Sequence, residues 1–314
     1  MKHLLAAAAL ALGCAPAVAQ PDRPAAPAPA PAPSAAVEPR PAIWLLSDAD
    51  TSIYLFGTFH ILPPNFRWRS ARFDQIAGQV DELVLEVTRA DTDTEASREA
   101  IFRSVRLGKQ ASVLWRVSAD RREALRELLA ASGIAEGSLD GMQTWVVAMS
   151  LGVMQIAQGY GAPPGQPPDL AAMPGVEDAI EREFLASNRP VSGVETTQEQ
   201  IGFLSNMSFA EQRELLEGLI DASLLQADQP AIDDDHVHWA AGNSETIAAA
   251  LREMPPMLYQ ALVLRRNRAW TDWLITRLDR PGSILFAVGA GHLAGADSVQ
   301  NMLAARGFTA RRIY

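Results

Sequence analysis

Residues 53–64 read IYLFGTFHILPP, an apolar run that ends in a glycine, two further residues and a histidine before two prolines stop the chain. Residues 285–295, LFAVGAGHLAG, repeat the arrangement: an apolar run, Gly289, two residues, then His292. Such runs of short apolar sequence, bounded by turn formers, are read as buried strands. Between them LVLEV at 83–87 delivers Glu86 to the end of its strand, and PVSGVETTQEQ at 190–200 delivers Glu195 to the end of another. In open α/β sheets the ligand crevice lies outside the carboxyl ends of the strands, so residues 60, 86, 195 and 292 are expected to converge there. The glycine three residues before each histidine permits a tight turn or a close backbone approach.

Working outward, Ile43 to Leu46 and Ile53 to Phe56 are read as a hairpin around the turn-rich stretch 47–52. Further strands are expected at 82–87, 191–194, 283–288 and near 309–313. Apolar residues at three and four spacing predict helices from 70 to a little beyond 76, then at 93–107, 119–131, 141–157, 175–187, 196–226, 233–252, 256–278 and 296–306. The class is mixed α/β, with a core sheet, helices packed around it and a large helical middle segment.

The first nineteen residues combine a short cationic start, an apolar stretch from Leu4 to Leu12 and an Ala17-Val18-Ala19 triplet, the pattern of a bacterial secretory signal. They predict a periplasmic or secreted protein. Leu12-Gly13-Cys14 loosely resembles a lipoprotein cleavage box, so a lipid anchor at Cys14 is the competing reading. No later apolar run is long enough to span a bilayer. Cleavage after Ala19 removes the only cysteine, which excludes disulfides and thiolate chemistry from the mature chain. Residues 20–42 form a Pro/Ala tether, and 43–314 is read as one large domain. The net charge is −10, falling to −11 when Lys2 leaves with the signal, which argues against nucleic acid as a partner.

Two imidazoles and one or two carboxylates at a sheet edge suit a divalent transition metal with open positions for water and substrate, hence metal-assisted hydrolysis. The same residues without metal suit a histidine base oriented by a glutamate. Each also has a structural alternative. His60 serves equally as a strand cap, Glu86 as a buried acid with a partner, and Glu195 as the first-turn acid of a helix beginning at Thr196. His236 and His238 in DDDHVH are two apart and share no helical face, so a metal site there is disfavoured. The glycines at 289, 291 and 295 fail as a dinucleotide fingerprint, because no acid follows about 20 residues on. WVVAMSLGVMQIA at 145–157 is read as a buried core helix, and 265–268, RRNR, as surface charge from which one arginine and Asn267 can face the cleft.

In order along the chain, GTFHILP, LVLEV, GVEDAI, SGVETTQEQ, the RN of LVLRRNRAW and VGAGHLAGADSVQNMLAARGF resemble the TraB/PrgY/GumN family, which is related to the Tiki metalloproteases. The resemblance covers 43–314. It implies a core like that of the Tiki, erythromycin-esterase and ChaN proteins, with His60, His292 and Glu86 as metal ligands. Glu86 would be a ligand or proton carrier, and Arg266 and Asn267 accessory catalytic residues, with Arg266 holding a substrate carboxylate or stabilising developing negative charge; Glu195, from its strand end, is a further candidate catalytic residue. One departure is Glu177, where an aspartate is expected. The implied activity is a periplasmic metal-dependent hydrolase, peptidase-like, acting on a peptide or small molecule. The alternatives are a metal-free His/Glu hydrolase and a non-enzymatic protein that binds a peptide or envelope component.

Overall fold

A computed structural model describes residues 38–108, 111–166, 168–227 and 234–314. The expected leader with Cys14 and the expected tether as far as residue 37 lie outside the described residues. Six strands, β1 (Ile43–Ser47), β2 (Thr51–Thr58), β3 (Glu82–Leu85), β4 (Val191–Gly193), β5 (Gly282–Gly289) and β6 (Arg311–Arg312), form one sheet in the order β4-β3-β5-β2-β1-β6. β1 and β2 make the expected antiparallel hairpin, closed where the Asp48 carboxylate accepts the Thr51 N–H at 2.9 Å. β6 adds antiparallel to β1 at the edge and is shorter than its apolar pattern suggests.

The centre is different. β2, β5, β3 and β4 are mutually parallel neighbours, and they are the four strands whose ends carry His60, His292, Glu86 and Glu195. Parallel strands are covered on both faces, which is why these segments are apolar without alternation. The side-chain period of two still sorts them. Phe56, Leu83, Leu85, Leu285 and Ala287 face one core with Phe73, Trp145, Val176 and Trp239. Leu55, Val84, Ile284, Phe286 and Val288 face the other with Trp270, Leu274 and Leu303.

Helices follow the apolar periodicity with corrections at capping residues. The first runs Ala71–Gln79, its start fixed by Ser70, whose hydroxyl accepts the Phe73 N–H at 3.1 Å. The core helix Thr144–Gly159 is buried through Trp145, Val147, Met149 and Leu151. The expected single helix over 196–226 is two, Thr197–Ser205 and Phe209–Ala227, because Ser208 and Glu211 form a new N-terminal cap between them. The stretch 233–252 likewise divides into Asp235–Ala240 and Glu245–Arg252, separated at Gly242 with φ +77°. Residues 93–107 give Glu95–Val105 after a short helix Arg89–Thr92, and 119–131 opens with a single 3-10 turn. Residues 256–277 stay helical throughout, as Pro256–Tyr259, a π-helical turn Gln260–Leu264, and Arg265–Arg277.

Candidate active site

Close backbone approach at the sheet edge assembles the site. A Cβ on Gly57 would lie 3.0 Å from the Ala290 Cα, so a glycine is needed for β2 to pack against the turn that follows β5. A Cβ on Gly289 would lie 3.2 Å from Glu86 Oε1, 3.3 Å from His60 Nε2 and 3.6 Å from His292 Cδ2. That one empty position therefore marks where the three side chains meet.

His60 is held from the side of the helix Val176–Ala186. The Val176 N–H donates to the Phe59 carbonyl at 2.9 Å, and Gly175 passes so close that a Cβ there would meet the His60 carbonyl at 2.5 Å. This brings Glu177, in the first helical turn, to His60: Nδ1 and Oε1 are 2.7 Å apart. The Thr58 hydroxyl donates to the same carboxylate oxygen. Burial opposes a charge on the imidazole, but the Glu177 carboxylate and its hydrogen bond, helped by Glu86, outweigh it and push His60 up to about 9. His60 is therefore an imidazolium at neutral pH, with Nδ1 taken and Nε2 turned to the meeting point.

His292 has the opposite surroundings. β5 runs into a 3-10 turn, Ala290–Leu293, that folds the ring back under the helix Arg265–Arg277 and leaves it fully buried. Nδ1 lies 2.6 Å from Asn267 Oδ1, and the Asn267 amide nitrogen donates to the Asp297 carbonyl at 2.7 Å and the His292 carbonyl at 3.3 Å. Nε2 lies 3.1 Å from Arg266 Nη1. An arginine can only donate, so the hydrogen-bond network assigns the proton to Nδ1 and the lone pair to Nε2. Burial and the adjacent guanidinium lower His292 to about 3, and the ring is neutral.

Between the histidines Arg266 binds two carboxylates. Its Nε and Nη2 donate to Glu195 at 2.8 and 2.7 Å, and Nη2 also donates to Glu86 Oε2. Glu86 Oε1 accepts the Gly289 N–H at 2.7 Å. Burial opposes the Glu86 charge, but the Arg266 guanidinium overrides it and holds the carboxyl well below the usual range. Glu195 shares the same cation and is pushed up, by burial first and by the neighbouring Glu86 charge, against the pull of Arg266. The Gln200 amide bridges the two carboxylates at 3.1 and 3.2 Å. The rings of Trp270 and Phe203 lie 4.7 and 5.5 Å from the guanidinium carbon.

All four strand-end residues converge as the sequence leads one to expect, and one structural alternative does not hold. Glu195 is not a helix first-turn acid, because Thr196 is the N-cap and Glu199 completes its capping box. Arg266 is buried, and its N–H groups point at internal partners rather than into open space. Asn267 orients His292, its side chain bonded to the His292 ring and to the His292 and Asp297 carbonyls. Glu177 and Gln200 escape a reading based on strand ends, since they sit on helices, and Thr58, at the end of β2, is passed over beside His60; the acid two residues after Gly175 is the one signal for Glu177. His236 packs edge-on to Phe66 and Tyr160, with ring centroids 4.7 and 5.0 Å away, while His238 is exposed, as their spacing implies.

As folded, His60, Glu86 and His292 do not fit a metal. A divalent ion needs neutral imidazoles with free lone pairs. His60 Nδ1 is held by Glu177, which leaves Nε2 as its one donor, while His292 Nε2 faces a guanidinium and both Glu86 oxygens are engaged. Among the described residues no group of three or more His, Cys, Asp or Glu side chains is arranged to hold a metal ion. A narrow crevice opens at His60, lined by Thr58, Gly289 and Gly291 on the sheet side and by Ile247 and Leu251 opposite, with room for a water or two. Among the described residues no helix is long and apolar enough to cross a membrane.

The model of the family described as TraB/PrgY/gumN family matches residues 42–312 of the chain. No curated protein and no solved structure matches it.

Proposed function

The chain belongs to the TraB/PrgY/gumN family, and from that footing we propose that it is a hydrolase of acyl substrates, esters or amides, in which the His60–Glu177 pair moves the protons. The observation that carries this reading is the direction of the His60 ring: Nδ1 is fixed by Glu177, and Nε2 is turned toward Gly289 at the mouth of the crevice. A base oriented by a carboxylate, with its free nitrogen at a water-sized space, is the arrangement that hydrolysis requires.

In the deprotonated fraction, His60 Nε2 takes a proton from water as the water oxygen bonds to the carbonyl carbon. The resulting imidazolium returns that proton to the leaving oxygen or nitrogen as the carbon–heteroatom bond breaks. Glu177 and Thr58 keep the ring oriented through both steps, and the ionised Glu86 favours the imidazolium. Because His60 sits at about 9, the base form is scarce at neutral pH, and the rate is expected to climb with pH until about 9. The expected leader would place this activity in the periplasm, with peptides or small acyl compounds of the envelope as the substrate class.

The test is hydrolysis of a panel of chromogenic esters and short peptides, with and without chelator. The expected outcome is activity that survives chelation and falls on the order of 10²–10⁴-fold in His60→Ala and Glu177→Gln. Activity lost to chelator, or unchanged in His60→Ala, overturns the reading; binding without turnover across the panel favours a capture protein instead.

A further inference from the structure

Arg266 carries an unusual load for a residue expected to serve a substrate. A guanidinium has five N–H groups, and here each has an acceptor. Nε donates to Glu195 Oε1, Nη2 to Glu86 Oε2 and Glu195 Oε2, and Nη1 to the Leu262 carbonyl at 3.3 Å and to His292 Nε2 at 3.1 Å. The Leu262 carbonyl belongs to the π-helical turn immediately before the arginine, so the widened turn supplies one of these acceptors. Nothing in this set is left over for a ligand.

The acceptors around the guanidinium are also the donors a transition metal would choose: two carboxylates and the unprotonated nitrogen of a neutral imidazole. Glu86 Oε1 and His292 Nε2 are 3.9 Å apart. Two ligands of one ion at bond lengths near 2.1 Å lie about 3 to 3.5 Å apart, so a small closure would let both bind the same metal. His60 Nε2 lies by the same spot, 3.3 Å from where a Cβ on Gly289 would stand, but makes no bond to the arginine.

We infer that Arg266 is the resident cation of this site: its guanidinium occupies the place where Glu86, Glu195 and His292 would otherwise gather a divalent transition metal, and its presence keeps the chain metal-free. The charge balance agrees. Two carboxylates around one guanidinium leave a single negative charge, and a divalent ion forced in beside the arginine would meet a fixed like charge in a buried space. With the guanidinium gone, the same two carboxylates neutralise a divalent ion and the His292 lone pair faces it. The inference is independent of the hydrolase reading, because it concerns which cation the carboxylates hold and not what His60 does.

The experiment compares wild-type protein, Arg266→Lys, Arg266→Ala and the double variant Arg266→Ala/His292→Ala, each purified without chelator and dialysed against zinc. Bound metal is measured by elemental analysis, and thermal unfolding is recorded with and without zinc. Wild type and Arg266→Lys are expected to hold only traces, with unfolding midpoints that zinc does not raise. Arg266→Ala is expected to gain stoichiometric zinc and a midpoint that rises with zinc and falls again with chelator, and the double variant to lose both. Stoichiometric zinc in the wild type overturns the inference, as does an Arg266→Ala protein that folds and stays metal-free. So does an Arg266→Ala protein that zinc cannot fold, since the ion would then be unable to take the guanidinium's place. A failed metal result leaves the His60 activity assay untouched, and a failed activity assay leaves the metal result standing.

Discussion

His60 and His292 leave neighbouring parallel strands by the same four-residue pattern, and they end in opposite states. β2 and β5 pair Thr58 with Gly289, so the two patterns are offset by a residue rather than symmetric. The segment after β2 passes against a helix from later in the chain whose first turn offers Glu177; the chain after β5 curls into a 3-10 turn beneath a helix that offers Arg266 and Asn267. One histidine gains a carboxylate and is charged, part-exposed and aimed at a crevice. The other gains a guanidinium and an amide and is neutral, buried and committed at both nitrogens. A shared motif fixes where a side chain emerges, while the packed helix opposite fixes what it can do.

The comparison is sharpened most by removing Arg266. Breaking a buried ion pair leaves uncompensated charge and costs about 3–5 kcal/mol, so Arg266→Ala is expected to lose that much in urea unfolding without metal above pH 9, where the His60 charge no longer contributes and His60→Ala loses less. Equal losses would erase the distinction between a structural half and a reactive half.

The pH dependence of stability should show two limbs of opposite sign. His60 is raised in the folded state from 6.5 to about 9, so its contribution is complete below 6.5 and disappears as pH rises through 9. At 1.36 kcal/mol per pKa unit it amounts to about 3 kcal/mol, and Glu177→Gln is expected to abolish the alkaline limb. His292 is lowered to about 3, so its contribution is complete above 6.5 and fades as pH falls toward 3. Unfolding midpoints measured across pH in wild type and Glu177→Gln check both limbs; an acid limb that also vanishes in Glu177→Gln would mean the two histidines are not separate systems.

A smaller effect is expected for Asn267→Ala, which leaves the His292 Nδ1–H and the Asp297 carbonyl without their partner at a cost of about 1–3 kcal/mol, read from the urea midpoint. The smallest change in stability should come from Gly289→Ala, because φ there is −48° and permits a side chain. Its methyl would crowd Glu86 and His60, with a cost on the order of 1 kcal/mol. Its effect on hydrolysis should be larger than its effect on folding, and comparison of the two in one variant checks that.

The sequence made the central sheet legible because buried parallel strands are short continuous apolar runs, and the residues that end them stand out as the first polar ones. That is why His60, Glu86, Glu195 and His292 are found together without knowing the topology. Helix breaks at 206–208 and at Gly242 were less legible, since the apolar period continues across them and only capping chemistry interrupts it. The partners were the hardest to read. Glu177 sits 117 residues beyond His60 on a helix whose acids at 177 and 178 read alike, and only the passage of Gly175 against the His60 carbonyl selects one of them. Arg266 was equally hidden, because only the fold sets its guanidinium among Glu86, Glu195 and His292.

The most direct test of the account is a nitrogen-detected NMR titration of the His60 and His292 rings in wild type and in Glu177→Gln. The account predicts that His60 titrates near 9 in the wild type and well below that in Glu177→Gln, where Glu86 alone is left to oppose burial, while His292 keeps its proton on Nδ1 and stays neutral down to about pH 3 in both. A His60 that titrates near 6.5 and ignores Glu177, or a His292 that protonates in the same range, would contradict it.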